Sequence, residues 1–242
     1  MATVEAHYRD HLAPVYAWMA GGMDAAWGAG AAELDELALA PRSGDLALDL
    51  GAGFGMHAVP LARRGVSVLA LDSSGQLLDA LERSAAGLPL QTVRDDLLNF
   101  PRHLPQSPRF ILCMGDTITH LPSAASLERL AVMAASEIAP GGVFVISFRD
   151  YSQALVGDKR FIHVRGDSDR ILTCFLEYAP DVVSVHDMLY QRTGDAWEMT
   201  VSSYQKLRVR PDPLIDHLRS LGFSVERQTG MRGMVRLVCT RL

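Results

Sequence analysis

Three acids, each ending a short apolar run, carry the clearest chemistry in this chain. Leu46-Ala47-Leu48-Asp49-Leu50 leads into Gly51-Ala52-Gly53-Phe54-Gly55, and glycines in such a turn let a ligand come close to the backbone. The spacing is Gly-x-Gly-x-Gly, not the Gly-x-Gly-x-x-Gly that seats a pyrophosphate on a helix N-terminus, and the absence of a following Lys removes the P-loop reading. Asp72 ends the next run 19 residues after Gly53, close to the roughly 20-residue offset at which a carboxylate meets ribose hydroxyls. Its plainer alternative is a cap for the helix beginning at Ser73 or Ser74. Asp95-Asp96 closes a third run; Asp96 is the better placed to accept from an exocyclic amino group, and a solvated turn is the alternative. Together these residues describe an adenosine site with no phosphate requirement.

The elements that must hold these acids follow from periodicity. Continuous apolar runs at Leu46–Leu50, Val66–Leu71, Leu90–Val93, Phe110–Met114 and Val143–Ile146 alternate with helical stretches, which implies an α/β fold with a parallel sheet covered on both faces. The helices fall at Met56–Arg64, after Ser73 or Ser74 through Leu81, and at Ala124–Ile138. Residues 159–207 break the rhythm with four strand-like stretches and turn signals at Gly166–Asp169, Pro180-Asp181 and Thr193–Asp195. Turns this short permit only antiparallel neighbours. A last helix is expected with Asp212 as its cap and Pro213 in its first turn, then strands at Phe223–Arg227 and Met234–Thr240. Residues 1–40 read as amphipathic helices broken at Gly21-Gly22 and Gly28.

Length and charge bound the rest. The chain has 242 residues, between one and two domains at roughly 150 residues each, and its composition is that of a folded protein. Its net charge of −5 argues against a bulk pull toward nucleic acid. Cys113, Cys174 and Cys239 sit in separate apolar runs and read as buried thiols of a reducing compartment. With no secretory core and no run of 18 apolar residues, the expectation is a cytoplasmic protein without a membrane partner. His7 and His11, four apart on an expected helix, lack a third ligand nearby, so no metal is expected.

In their order along the chain, Leu48 to Gly55, Asp72, Asp96 and Pro140-Gly141-Gly142 resemble the class I S-adenosylmethionine-dependent methyltransferases. That resemblance implies a Rossmann-like three-layer sandwich whose seven-stranded, mostly parallel sheet has only its last strand antiparallel, with an antiparallel β insertion. It implies S-adenosylmethionine as cofactor and S-adenosylhomocysteine as product. Asp49 and the Gly51-Ala52-Gly53 backbone would take the methionine moiety, Asp72 with Ser73 the ribose, and Asp96 with the Leu97 backbone the adenine, while Met114 lines the site. The expected division is a helical cap over 1–40, a cofactor core over 41–150 and 206–242, and a substrate cover over 151–205.

Cys113 to Pro122 leaves the fourth strand where cofactor and acceptor would meet. With no Asn-Pro-Pro-Tyr type segment there, a nucleobase or glutamine acceptor is disfavoured. This segment, with Ile146 to Tyr151 and Tyr204-Gln205-Lys206-Leu207, is similar to the glycine N-methyltransferase group and its sarcosine-using relatives. The resemblance gives Arg149 the acceptor's carboxylate, which a planar fork binds bidentately; an Arg149–Asp150 surface pair is the alternative. Tyr151, His163 and Tyr204 complete the expected acceptor residues, and Tyr8 or Tyr16 would close over the cofactor. His163 stands where that group has a tyrosine and Asp116 where it has an asparagine, so glycine itself fits poorly. An acid at 116 would repel a carboxylate and attract an ammonium. His120 or Asp116 would take the acceptor's proton. The expected function is methyl transfer to a small-molecule amine or amino-acid-like nitrogen, as a monomer or homo-oligomer. The alternatives are a non-enzymatic S-adenosylmethionine-binding module, or a hydroxyl or macromolecular acceptor, the last because Arg outnumbers Lys 21 to 2.

Overall fold

In the computed structural model, which describes residues 1–42 and 44–242, the apolar runs are strands, and all but the edge strand at Leu90–Arg94 bury both faces. β1 (Leu46–Leu50) is buried at every position. With β2 (Ser67–Asp72), β3 (Leu90–Arg94), β4 (Phe110–Cys113) and β5 (Val143–Phe148) it forms parallel pairs in the order β3-β2-β1-β4-β5. Four antiparallel strands follow, β6 (Phe161–Gly166), β7 (Arg170–Tyr178), β8 (Val182–Thr193) and β9 (Ala196–Leu207), in a sheet of their own. β10 (Phe223–Thr229) and β11 (Val235–Arg241) then complete the first sheet, with β11 antiparallel to both β5 and β10. The seven-stranded sheet with its last strand reversed is therefore the one expected.

The N-terminal segment is a run of short turns: α1 (Val4–His7), a π-helical turn Tyr8–Leu12, a 3-10 turn Ala13–Val15 and α2 (Tyr16–Met19). Longer helices follow as α3 (Met23–Glu36), α4 (Ala58–Arg63), α5 (Gly75–Ser84), α6 (Ala124–Glu137) and α7 (Pro211–Ser220). Leu127, Leu130, Leu214 and Leu218 of α6 and α7 pack on one face of the large sheet. Trp27, Leu34, Leu61 and Leu81 of α3, α4 and α5 pack on the other. The result is a three-layer sandwich. Among the described residues no helix is long and apolar enough to cross a membrane.

Three local expectations shift. Gly28 does not end a helix but lies inside α3; burial of Trp27 and Leu34 outweighs the roughly 1 kcal/mol that a helical glycine costs. α7 starts at Pro211 with Arg210 as its cap, not Asp212. The reason is that a residue before proline is pushed extended while proline fits the first helical position. Cys174 is half-buried, whereas Cys113 and Cys239 are buried as expected.

The four-stranded sheet turns Leu172, Leu176, Val183, Val185, Leu189 and Tyr204 inward. They pack against the N-terminal turns, with Leu12 and Val15 under Leu172 and Leu189. Tyr8 and Tyr16 continue this contact to Phe54 and Leu77 of the large sheet's layer.

Candidate active site

A cleft of about 1160 Å³ follows the carboxyl ends of β1 to β5 and passes beneath the four-stranded sheet. At its centre the glycine turn leaves β1. Gly51 has φ +74°, and a Cβ on it would lie 2.5 Å from Thr117 Cγ2, so only glycine admits the loop after β4 this closely. Gly55 has a different use: a Cβ there would meet Leu81 Cδ1 at 2.4 Å, which makes the third glycine a packing residue between the turn and α5.

Asp49, Gly51, Ala52, Gly53, Asp72, Ser73, Asp96, Leu97 and Met114 all line the cleft. Asp72 Oδ2 accepts from Gly53 N–H at 2.8 Å and Oδ1 from Ser74 N–H at 2.8 Å. It thus ties β2 to the glycine turn, while Ser74 caps α5. Asp96 Oδ1 accepts from Leu98 N–H at 2.8 Å, and the exposed carboxylate keeps its other oxygen. Its neighbour Asp95 is occupied, since Asn99 and His103 reach it at 2.8 and 2.7 Å and hold its carboxyl down at about 2. Asp49 is the outlier. Its side chain is buried, its Oδ2 has no hydrogen-bond partner, and burial pushes its carboxyl up to about 6 against the opposing pull of His57. A buried acceptor without a donor, in a cleft, fits the ammonium of an amino acid.

Asp116, His120, Arg149, Tyr151, His163 and Tyr204 line the other wing of the cleft. Asp116, in the left-handed region at φ +79°, is buried and already partnered. Its Oδ1 accepts from Arg149 N–H at 2.9 Å and its Oδ2 from Lys206 Nζ at 2.6 Å. Burial alone would raise its carboxyl, but Lys206, His120 and the Arg149 N–H bring it below the usual range, so it stays ionised. Lys206 is likewise held above the ordinary lysine range by Asp116 in spite of its burial. The ammonium that this acid attracts belongs to the chain itself.

His120 packs flat on Tyr204 at 5.6 Å and edge-on to Tyr8 at 5.4 Å. Its Nε2 lies 3.3 Å from Tyr8 Oη, and its Nδ1 has no partner among the described residues. Burial, reinforced by Lys206, drives its pKa down to about 3. Tyr204 is sandwiched, with His7 stacked on it at 4.0 Å, and burial pushes the Tyr151 phenol up to about 12. The Arg149 guanidinium is exposed, with its Nε 3.8 Å from Asp116 Oδ2. The alternative Arg149–Asp150 pair does not form, because Asp150 faces Arg227 at 3.7 Å. His163 stands on the edge strand β6 and is exposed at the cleft rim.

Sequence reading did not single out four of the groups found here. Lys206 is one, although strand alternation puts it on the same face as Tyr204. The others are the His7–Asp187 contact at 3.0 Å, the Glu33–His57 contact at 3.0 Å and the Arg236 that meets Glu33 at 3.6 Å. Among the described residues no three His, Cys, Asp or Glu side chains are grouped so as to hold a metal ion.

Residues 47–142 match the family described as a methyltransferase domain. The matched segment holds the glycine turn, Asp72, Asp96 and Met114, so the acids lining one wing of the cleft lie within the part of the chain that matches a methyltransferase domain. Among named relatives it is similar to glycine/sarcosine N-methyltransferase of Aphanothece halophytica, 26% identical over 45% of this chain and 42% of the relative. It is 30% identical to glycine N-methyltransferase of Rattus norvegicus over 45% of this chain and 41% of that protein. The match thus spans about two-fifths of the length of these relatives. In fold it is similar to the CcbJ methyltransferase of Streptomyces caelestis, with a TM-score of 0.78, 23% identity and 98% of each chain covered.

Proposed function

We propose that this chain transfers a methyl group from S-adenosylmethionine to a nitrogen of a small molecule, an amine or amino-acid-like acceptor. One observation carries the reading: a neutral His120 with a free Nδ1 stands beside the Asp116–Lys206 pair on the floor of a cleft roofed by a second sheet. The names of the two curated relatives, both N-methyltransferases, support nitrogen.

In this reading Asp49 receives the cofactor's ammonium, Asp72 its ribose hydroxyls, and Asp96 with Leu97 N–H its adenine. Gly51, Ala52, Gly53, Ser73 and Met114 shape the walls. The bound cofactor supplies a methyl group already activated by the sulfonium charge. The protein's part is to hold the acceptor nitrogen in line and exclude water. With Nε2–H directed at Tyr8 Oη, the lone pair on His120 Nδ1 is free to accept a hydrogen bond from the acceptor nitrogen and orient it; the burial that holds the ring neutral also makes it a weak base, so the proton passes on to solvent. Asp116 is not the base, because its carboxylate is engaged by Lys206. Arg149, Tyr151, His163 and Tyr204 bound the acceptor, residues 151–205 form its cover, and 1–40 close the cofactor end.

Calorimetry with S-adenosylhomocysteine, followed by labelled-methyl transfer to a panel of amines and hydroxy compounds, tests the reading. Binding with label on amines is the expected result. No binding at high micromolar ligand sinks the class assignment, and label on hydroxyls alone sinks the nitrogen assignment.

A further inference from the structure

Arg149 and Arg232 both line the cleft, and among the described residues the one carboxylate within ion-pair distance of either is Asp116, 3.8 Å from Arg149 Nε. Arg149 is the first residue past β5, and Arg232 lies in the loop between β10 and β11. The register sets Phe148 opposite Val235, so the chain leaving β5 and the chain entering β11 run side by side, about 5 Å apart. Both arginines line the cleft and both are exposed. The acid nearest Arg149, Asp116, is bound by Lys206 at 2.6 Å, and the following acid, Asp150, is drawn toward Arg227. Among the described residues Arg232 has no ion-pair partner.

The loop that presents Arg232 is held in place. Gly230 N–H donates to Met234 O at 2.8 Å and Gly233 N–H to Gly230 O at 3.2 Å. Met231 N–H reaches Glu33 Oε1 at 3.4 Å, and Glu33 is itself fixed between His57 and Arg236. Arg232 sits at φ +56°. A side chain in that region persists only where its surroundings impose it, and such residues concentrate at ligand clamps.

Resting on the methyltransferase reading, we propose that Arg149 and Arg232 form a two-armed anion site and that the acceptor carries a phosphate or diphosphate group. One guanidinium fork already satisfies one carboxylate through two parallel hydrogen bonds. Two forks from adjacent strand ends suit a group with more acceptor oxygens and a second charge. The neutralisation of Asp116 by Lys206 removes the repulsion that an acid at this position would otherwise exert on such a group.

Calorimetry on the protein loaded with S-adenosylhomocysteine, with inorganic pyrophosphate and succinate as probes, tests this. Saturable pyrophosphate binding is expected, tighter than that of succinate. It weakens about tenfold or more in Arg232→Ala and in Arg149→Ala, the worth of one charge-assisted hydrogen bond. Arg232→Lys recovers part of the loss, since an ammonium is a point charge. Unchanged S-adenosylhomocysteine affinity in each variant shows that the fold is intact. The proposal is overturned by absent pyrophosphate binding at millimolar probe, by tighter binding of succinate, or by equal pyrophosphate affinity in wild type and Arg232→Ala. Failure of the wild type to bind S-adenosylhomocysteine overturns the reading beneath it as well.

Discussion

On the proposed reading, Asp49 stores the cost of a binding site that has to be ready before its ligand arrives. Its carboxyl is raised to about 6, so the folded chain binds a proton there more tightly than the unfolded chain does. Stability linked to this group is therefore highest below about pH 4, falls as pH rises toward 6, and at pH 7 is lower by about 3 kcal/mol. Asp49→Asn removes the dependence. Urea unfolding at pH 4 and pH 7 should show a wild-type loss larger than the variant's by roughly that amount; equal losses would mean that the carboxyl titrates normally. Affinity for S-adenosylhomocysteine should rise through pH 6 in the wild type and stay flat in Asp49→Asn. His120 gives the opposite sign. Its pKa of about 3 means that folding favours the neutral ring, so stability from this group is full above about pH 6.5 and is lost as pH falls below it. Nitrogen-detected NMR should find the His120 imidazole neutral at pH 5, and a protonated ring at that pH would contradict the burial that defines the site.

Between elements, the Asp116–Lys206 pair joins the loop after β4 to the end of β9, linking the two sheets across the cleft. A buried charge left without its partner costs about 3–5 kcal/mol, so Lys206→Met should lower stability by about that much. The double variant Asp116→Asn/Lys206→Met should recover most of it, as a chemical-denaturation cycle would register. Additive losses would show that the two residues act separately. The alternation of apolar runs and helices made the large sheet legible, because a strand buried on both faces has no polar positions to confuse its period. The acids at its strand ends were legible for the same reason: chain order and a parallel sheet carry them to one edge. Lys206 was not, since a lysine in a half-exposed strand reads as a solvated face until an acid 90 residues earlier in sequence is folded against it. The start of α7 was missed more locally, because two prolines, Pro211 and Pro213, each offer a first turn.

Over the whole molecule, the least legible contacts are those that lock the N-terminal turns between the sheets. His7 meets Asp187 at 3.0 Å and Ser202 Oγ at 2.7 Å, and Ala2 N–H donates to Ser203 O at 2.9 Å. Partners separated by 180 residues or more leave no periodic trace in sequence. These contacts set Tyr8 against His120 and Tyr16 against Phe54, so the segment 4–19 reaches both wings of the cleft. Yet it is built from turns of three to five residues, too short to stand as helices without tertiary support. Its stability is therefore borrowed from the cover sheet, and it should open at lower free energy than β1 to β5. Hydrogen exchange followed by mass spectrometry should show segment 4–19 exchanging well ahead of the large sheet. Asp187→Ala, which strips His7 of a buried partner, should speed that segment further while leaving β1 to β5 protected. S-adenosylhomocysteine should slow exchange at 4–19 in the wild type and less so in the variant, if the segment closes over a filled cleft. Uniform exchange across segment and sheet, or no response to the ligand, would instead make the N-terminal turns an integral part of the core.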